Sequence, residues 1–252
     1  MPEQSWTGRT AVITGASRGI GATLAQVAAD QGVRLGVCAR SACPLAGREG
    51  VHAEQFDICD EVALESFTAA VAEEFGPIDL WINNAGVLSP IDPVRDIELA
   101  DFNQHIAINL TGAFLGTRTY VRHRRGQGGG GVLINISSGA AWSAYEGWAA
   151  YCAGKAGLER LTEVVALEEA SMGLRAHSVA PGVVDTEMQA QIRATPAERF
   201  PELERFVEMK RDSTFNSAEY VARELLALAF DPARKTDAVS LRLEDDPGAG
   251  PG

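Results

Sequence analysis

Short runs of apolar residues alternate with longer amphipathic runs between residues 10 and 241. This order is typical of β–α–β units, in which each strand of a parallel sheet is followed by a helix that crosses back over the sheet. Right-handed crossovers predict an α/β fold, a Rossmann-like doubly wound domain with a seven-stranded parallel sheet in the order 3-2-1-4-5-6-7 and helices on both faces. The predicted strands are residues 10–14, 35–39, 51–57, 80–83, 132–137, 175–179 and 238–241.

The 252 residues suit a single domain of this kind, and we predict its bounds as 1–243. Within it, residues from about 187 to 215 are expected to form a substrate loop. Asn216 and Glu219 fit a capping box at the start of the last helix. Residues 244–252 are acidic and then rich in Gly and Pro, so we expect a disordered tail. The predicted helices are residues 19–30, 60–75, 99–124, 149–172, 187–211 with breaks, and 217–230.

The chain has a formal net charge of −12, from 22 Lys and Arg residues against 34 Asp and Glu residues. A field of this sign repels nucleic acids and anionic membranes, so we expect neither as a partner. The four cysteines form no CxxC pair and the four histidines are scattered, so no metal site is expected. Because no apolar run has the length of a signal peptide core or a membrane span, we expect a soluble cytoplasmic protein.

Three glycines, Gly15, Gly19 and Gly21, lie between the first predicted strand and the first predicted helix. Glycines let a phosphate group approach backbone amides closely, and the positive end of a helix attracts the anion. The spacing GxxxGxG differs from the general dinucleotide fingerprint GxGxxG, and a simple turn is the alternative interpretation. Their position at a strand-to-helix junction favours a nucleotide-phosphate site.

The second predicted strand is followed by an arginine at the place where an NAD site carries a carboxylate. An Asp or Glu at this place would hold the hydroxyls of the adenosine ribose, but the sequence reads Ala39-Arg40-Ser41. Arg40 and Arg18 border the same predicted site, and two guanidinium groups can bind a 2′-phosphate. The sequence therefore predicts NADP(H) as cofactor. The alternative is that both arginines are ordinary solvated charges.

Tyr151 and Lys155 lie four residues apart in a predicted helix, so their side chains share one face. A phenol is a weak acid, and a neighbouring ammonium lowers its pKa towards a value useful for proton transfer. Ser138 ends the fifth strand at the carboxyl edge of the sheet, where open α/β folds bind ligands. A YxxxK pair alone is a weak signal, because most such pairs lie on ordinary helix surfaces.

Taken in chain order, these elements resemble the short-chain dehydrogenase/reductase family over nearly the whole chain. The resemblance implies a catalytic tetrad of Asn109, Ser138, Tyr151 and Lys155. Tyr151 is expected to protonate a carbonyl oxygen as hydride arrives at the carbon, and Ser138 to hydrogen-bond that oxygen. Lys155 is expected to lower the pKa of Tyr151 and to bind the nicotinamide ribose, while Asn109 holds a water molecule that links Lys155 to solvent. The matching residues are TGASRGIG at 14–21, Asp57, NNAG at 83–86, Asn109, Ser138, Tyr151, Lys155, Pro181, Gly182 and Thr186.

The resemblance also implies which residues hold the cofactor. Asp57 and Ile58 are expected at the adenine, and Val183 and Thr186 at the nicotinamide carboxamide. Without the resemblance, residues 83–86 and 181–182 are simply turns that end strands. The full predicted cofactor set is Gly15, Ser17, Arg18, Gly19, Ile20, Gly21, Arg40, Asp57, Ile58, Asn84, Ala85, Gly86, Tyr151, Lys155, Pro181, Gly182, Val183 and Thr186.

The carboxyl-terminal third is similar to a narrower branch of the family, which contains sepiapterin reductase and the bacterial benzil reductases. The similar segments are DTEMQAQIR at 185–193, FVEMK at 206–210 and SAEYVA at 217–222. This branch reduces vicinal dicarbonyl compounds with NADPH, in agreement with the arginines described above. The segment TDAVSL at 236–241 lacks the double glycine common at the family's last strand, so we expect a homodimer, with a homotetramer as the alternative.

Aromatic residues are frequent around the predicted tetrad. Aromatic side chains bury large areas and therefore suit an apolar or aryl carbonyl substrate, although core packing is the competing interpretation for each of them. The predicted substrate residues are Ala140, Trp142, Tyr145, Trp148 and Met188.

The function that these features favour is an NADPH-dependent carbonyl reductase acting on a small-molecule carbonyl substrate such as a vicinal diketone. One alternative is an NADP-dependent alcohol dehydrogenase that runs in the oxidative direction. Another is a cofactor-binding regulator in which the redox site is idle. The complete tetrad argues against the regulator, and a preference for the 2′-phosphate favours reduction because cells keep NADPH reduced.

Overall fold

The computed structural model describes residues 6–212 and 215–248. Within these residues the seven strands form one parallel sheet in the order β3-β2-β1-β4-β5-β6-β7, which confirms the predicted topology. The last strand begins two residues later than predicted. The strands are β1 (Thr10–Thr14), β2 (Arg34–Ala39), β3 (Val51–Gln55), β4 (Leu80–Asn83), β5 (Val132–Ile136), β6 (Arg175–Ala180) and β7 (Ser240–Arg242).

Helices cover both faces of the sheet, because successive side chains of each strand point to opposite sides. In β1, Ala11 and Ile13 pack with the first and last helices, whereas Val12 packs on the other face with the helices that follow β3, β4 and β5. No helix in the described part of the chain is both long and apolar enough to cross a membrane. The helices are α1 (Gly19–Asp30), α2 (Glu61–Phe75), α3 (Leu99–Ile106), α4 (Ala113–Gly126), α5 (Ala149–Glu169), α6 (Glu187–Arg193), α7 (Leu203–Arg211) and α8 (Ala218–Phe230).

The helix predicted over residues 99–124 is divided by a π-helical stretch, Ala107–Gly112, between α3 and α4. Such wide turns are often found at functional sites. The stretch contains Asn109, whose side chain forms two hydrogen bonds with the backbone of Val87, at 2.8 and 2.7 Å. These bonds join the helix to the loop that follows β4.

Two features of the carboxyl end differ from the predictions. Ser217, not Asn216, caps α8, because the Ser217 hydroxyl accepts a hydrogen bond from the Tyr220 amide. Asn216 is buried instead, with Nδ2 donating to the Pro181 carbonyl at 2.8 Å and Oδ1 accepting from the Asp246 amide at 2.7 Å. These partners hold residues 244–248, which we predicted to be disordered, against the domain. The remaining tail residues, 249–252, lie outside the described residues.

Candidate active site

A large cleft opens at the carboxyl edge of the sheet, with a volume of about 1470 Å³. Typical small-molecule sites enclose about 300–1,000 Å³, so this cleft has room for a dinucleotide and a second ligand together. Every residue predicted for the cofactor, for catalysis or for the substrate lines the cleft, apart from Gly21, Asn109 and Ala140. Those three residues pack behind its wall.

The loop between β1 and α1 is shaped by two glycines and one asparagine. Gly15 has a φ of +68°, which favours glycine, and a Cβ there would lie 2.7 Å from the Cα of Ala85. The Nδ2 atom of Asn84 donates to the carbonyl oxygens of Thr14 and Gly15, at 3.0 and 3.1 Å. At Gly21 a Cβ would lie 2.4 Å from the same Nδ2 atom. Gly21 therefore lets α1 pack closely against the loop and does not itself face the cleft.

Two arginines border one end of the cleft, as the sequence predicts, but they have different surroundings. Arg18, just before α1, forms an ion pair with Glu187 at the start of α6, with 2.9 Å between Nη1 and Oε2. Arg40 is exposed, and within the described residues it has no ion-pair partner. Arg40 is therefore the more available cation, whereas Arg18 already links the glycine loop to α6.

Lys155, Tyr151 and Ser138 come together at the other end of the cleft, next to β5. Lys155 is buried, and its Nζ donates to the carbonyl oxygen of Ile136 at 2.7 Å. The same Nζ lies 5.7 Å from the centre of the Tyr151 ring. Ser138 lies close enough to Tyr151 to affect its pKa, and the Ser138 Oγ accepts a hydrogen bond from the Ala140 amide at 3.2 Å. One proton donor, one hydroxyl and one cation thus share a small, mostly enclosed space.

The acidity of these groups differs from the prediction. We expected Lys155 to lower the pKa of Tyr151, but burial raises the pKa of Tyr151, and the hydrogen bond from Ser138 only partly opposes this. Burial also lowers the pKa of Lys155, to about 8. The physical reason is that desolvation penalises the charged form of each group, phenolate or ammonium, more than the neighbouring groups compensate. Tyr151 is therefore a protonated phenol at neutral pH.

Asn109 does not line the cleft, in contrast to the other members of the predicted tetrad. Its side chain is buried, with Oδ1 and Nδ2 both bonded to the Val87 backbone. The same Nδ2 also lies 2.6 Å from Nε2 of His105. The side-chain amide is thus committed to protein partners, and it fixes the wall of the cleft at residues 87–89.

An aromatic cluster forms the wall of the cleft next to Tyr151. Trp148 lies at its centre, with the Tyr145 ring 5.0 Å away and the Tyr151 ring 5.5 Å away between centroids. Trp142 is 49% exposed at the rim, whereas Ala140 is buried behind it. Met188 of α6 packs at the edge of the same cluster. Four of the five predicted substrate residues therefore face the cleft.

Phe200 and Phe206 belong to this cluster, and the sequence analysis did not single them out. Phe200 stacks on Trp148, with centroids 4.8 Å apart and an angle of 13° between the rings. Phe206, in α7, lies 5.5 Å from both of these rings. They are the two aromatic residues in a stretch rich in charged residues, 197–212, and this contrast was the available signal.

Comparison with known proteins gives consistent matches along the chain. A family model described as "short chain dehydrogenase" matches residues 9–197. Benzil reductase ((S)-benzoin forming) from Bacillus subtilis (strain 168) is 32% identical over 224 residues, which are 86% of this chain and 91% of that protein. D-threitol dehydrogenase from Mycolicibacterium smegmatis is 36% identical over 189 residues, 72% of each chain.

The fold is also found among solved structures. The crystal structure of levodione reductase superimposes with a TM-score of 0.84 at 27% sequence identity, over 94% of this chain and 96% of that one. The similarity in fold thus extends over nearly the whole chain.

Proposed function

This chain belongs to the short-chain dehydrogenase family, and we propose that it is an NADPH-dependent reductase of ketones that accepts vicinal diketones. As a member of the family it is an oxidoreductase that acts on CH–OH and C=O groups with a nicotinamide coenzyme. The observation that carries the proposal is that Tyr151, Ser138 and the buried ammonium of Lys155 lie together at one wall of the cleft. The similarity to a benzil reductase supports the choice of substrate class.

The residues of the glycine loop fit a dinucleotide. The first turn of α1 has no side-chain cap at Arg18, so its amides remain available to a pyrophosphate. Gly15 and Gly19 both have positive φ and keep side chains away from this place. Asp57 and Ile58 line the cleft where the adenine would lie. The turn at Pro181 and Gly182 and the following Val183 and Thr186 would hold the nicotinamide end.

The charges next to β2 favour NADPH over NADH. β2 is followed by Arg40 and Ser41, with no carboxylate to repel a 2′-phosphate. A guanidinium group makes bidentate, charge-assisted bonds with a phosphate, and Arg40 is free to do so. Arg18 would join only by exchanging its ion pair with Glu187 for one with the phosphate.

The catalytic roles follow from the protonation states. When bound, the nicotinamide supplies the hydride that reduces the carbonyl carbon. Tyr151, held as a protonated phenol by burial, donates its proton to the carbonyl oxygen, and Ser138 donates a hydrogen bond to that oxygen. Lys155 provides a positive charge that stabilises the phenolate left behind and binds the ribose of the coenzyme.

The substrate side of the cleft suits an aryl ketone. Tyr145, Trp148 and Phe206 offer ring faces and edges next to Tyr151, and aromatic groups pack well in offset or edge-on arrangements. A benzoyl group would thus have its ring on this wall and its carbonyl oxygen at Ser138 and Tyr151.

The test is an assay of the purified protein with benzil, following the loss of NADPH absorbance. We expect turnover with NADPH that is much faster than with NADH, and a hydroxyketone product identified by chiral chromatography. Tight binding of NADPH without turnover of benzil or of any ketone in a panel would contradict the proposal.

A further inference from the structure

His105 is a buried histidine whose protonation state is set by its two partners. It lies on the last turn of α3 and is only 1% exposed. Its Nδ1 atom is 2.7 Å from the carbonyl oxygen of Ser89, and its Nε2 atom is 2.6 Å from Nδ2 of Asn109. A carbonyl oxygen only accepts hydrogen bonds, so Nδ1 must carry the proton.

The orientation of the Asn109 amide decides the state of the second ring nitrogen. Because the Val87 amide donates to Oδ1 and the Val87 carbonyl accepts from Nδ2, the two ends of the Asn109 side chain cannot be exchanged. The nitrogen that faces His105 is therefore a donor, and Nε2 must accept. His105 is consequently a neutral imidazole with its proton on Nδ1.

The ring of His105 also touches the proposed proton donor. Its centroid lies 5.9 Å from that of Tyr151, and the rings meet edge to face at 83°. Trp148 meets the Tyr151 ring in the same manner, at 5.5 Å and 73°. The phenol ring is therefore held between two aromatic rings, which limits the positions open to its hydroxyl.

We propose that His105 is a positioning residue for Tyr151, and that the enzyme loses activity in acid when His105 takes up a proton on Nε2. The proposal rests on the function proposed above. A proton on Nε2 would face the NH₂ group of Asn109, donor against donor, so the His105–Asn109 contact would break. The His105 ring and the wall at residues 87–89 would then separate, and Tyr151 would lose one of its two supports.

The groups around His105 disfavour that proton under ordinary conditions. From α5, Tyr151 is neutral and Lys155 is positive; from the loop after β4, the backbone carbonyl of Ser89 meets the ring. On its own helix the nearest acidic residue is Asp101, one turn earlier and exposed. Burial and the charge of Lys155 together keep the pKa of His105 below its ordinary value, although the Ser89 carbonyl opposes this.

The acid side of the pH profile is the distinctive readout. In the reductive direction Tyr151 must be protonated and Lys155 must be charged, and both conditions hold better as the pH falls. Neither residue can therefore cause a loss of kcat in acid. A loss with a midpoint below about pH 6.5, the ordinary pKa of histidine, would require another group.

The experiment measures kcat and KM for benzil, with saturating NADPH, from about pH 5 to about pH 8.5 for the wild type, His105→Phe and His105→Gln. His105→Phe removes both ring hydrogen bonds, and we expect kcat at neutral pH to fall by about 10-fold to 100-fold with little change in the Kd of NADPH. His105→Gln offers one donor to Ser89 and one acceptor to Asn109, so it should retain most of kcat. Because neither substitute titrates, both variants should lack the loss in acid.

His177→Phe is the matched control. His177 is also 1% exposed and also bonded through Nδ1 to a backbone carbonyl, that of Ala238, but it does not line the cleft. This variant should lose stability while keeping the wild-type kcat and pH profile. If His105→Phe behaves like this control, or if both His105 variants keep the loss in acid, the positioning role is wrong.

A second measurement does not depend on turnover and separates this proposal from the proposed function. A long-range proton–nitrogen NMR spectrum of the histidine rings reports which ring nitrogen carries the proton. We expect His105 to be protonated on Nδ1 alone and to remain so below the pH at which exposed histidines titrate. A proton on Nε2 at neutral pH would overturn the proposal even in an active enzyme, whereas failure with every ketone would count against the proposed function only.

Discussion

The Nζ atom of Lys155 donates to the carbonyl oxygen of Ile136 at 2.7 Å, in a position enclosed by protein. This bond is the one hydrogen bond of the ammonium group recorded within the described residues, although an ammonium has three donors. The group is therefore poorly solvated, and burial lowers its pKa to about 8. Two of its protons remain available to a ligand in the cleft.

The affinity for the coenzyme should depend on pH through the ammonium group of Lys155. Lys155 is an ammonium below about pH 8 and a neutral amine above it, so the Kd of NADPH, measured by fluorescence titration, should rise as the pH passes through that value. Lys155→Met should bind NADPH more weakly at neutral pH and show no such dependence. A wild-type Kd that stays constant across this range would mean that the ammonium does not meet the coenzyme.

Replacing the proposed proton donor should separate binding from chemistry. In Tyr151→Phe the carbonyl oxygen lacks a donor, so kcat should fall by about 10²-fold to 10⁴-fold while the Kd of NADPH stays unchanged. Tyr220→Phe, on the distant helix α8, is the matched control and should keep its kcat. Undiminished turnover in Tyr151→Phe would assign the proton to another group.

Arg40 should determine the preference for NADPH over NADH. A charge-assisted hydrogen bond contributes about 1.5–3 kcal/mol, so Arg40→Ala should raise the KM of NADPH by about 10-fold to 100-fold and leave the KM of NADH unchanged. Arg48→Ala, which removes a surface arginine paired with Asp30, is the control. Equal effects on both coenzymes would show that Arg40 does not contact the 2′-phosphate.

Glu187 should oppose the binding of NADPH. Because it pairs with Arg18, Glu187→Gln would release that guanidinium group and remove a negative charge near the phosphate. The variant should therefore have a lower KM for NADPH, and most of this gain should be lost in a double variant that also carries Arg18→Ala, where only the removal of the negative charge still helps. The effect should be small, since exposed ion pairs contribute about 1 kcal/mol or less.

The aromatic cluster should contribute strongly to stability. Phe200 is fully buried and stacks on Trp148, so Phe200→Ala should lower the free energy of unfolding by about 3–5 kcal/mol, measured by urea denaturation. Val207→Ala in α7 is the exposed control and should change it by less than about 0.5 kcal/mol. A loss of unfolding free energy in Phe200→Ala close to that of the control would mean that the chain around Phe200 packs only loosely on the domain.

Stability should fall between neutral and mildly acid pH. Burial lowers the pKa of both His123 and His177, so the unfolded chain binds protons that the folded chain does not. Below about pH 6.5 each residue then reduces the free energy of unfolding, by at most about 1.4 kcal/mol per pH unit. Urea denaturation of the wild type and of His177→Phe at several pH values should give the shallower dependence in the variant.

The sequence predicted well those features that depend on neighbours along the chain. The spacing of Tyr151 and Lys155 follows from the period of one helix, and the glycines at 15, 19 and 21 mark one strand-to-helix turn. The strand order followed from the handedness of crossovers, which holds for nearly all parallel connections.

Contacts between distant segments could not be predicted in the same way. The commitment of the Asn109 amide to Val87 depends on how a π-helical stretch meets a loop 22 residues away. The Arg18–Glu187 pair joins segments that are far apart in the sequence, and nothing local in either segment points to the other. The predicted shift of the Tyr151 pKa was wrong in direction, because the extent of burial, which raises this pKa, is a property of the folded cleft.

The amide of Asn216 links the last described residues to the turn at Pro181, in the cleft wall that we propose holds the nicotinamide, because it bonds Asp246 on one side and Pro181 on the other. Cutting the chain back to residue 243 would leave the Oδ1 atom of Asn216 without the Asp246 amide that it accepts from. The side chain that donates to the Pro181 carbonyl would then be held less firmly, and part of the free energy of coenzyme binding would be used to order that turn. Removal of the carboxyl-terminal residues should thus weaken the cleft at Pro181, although these residues do not contact Pro181 through their own side chains.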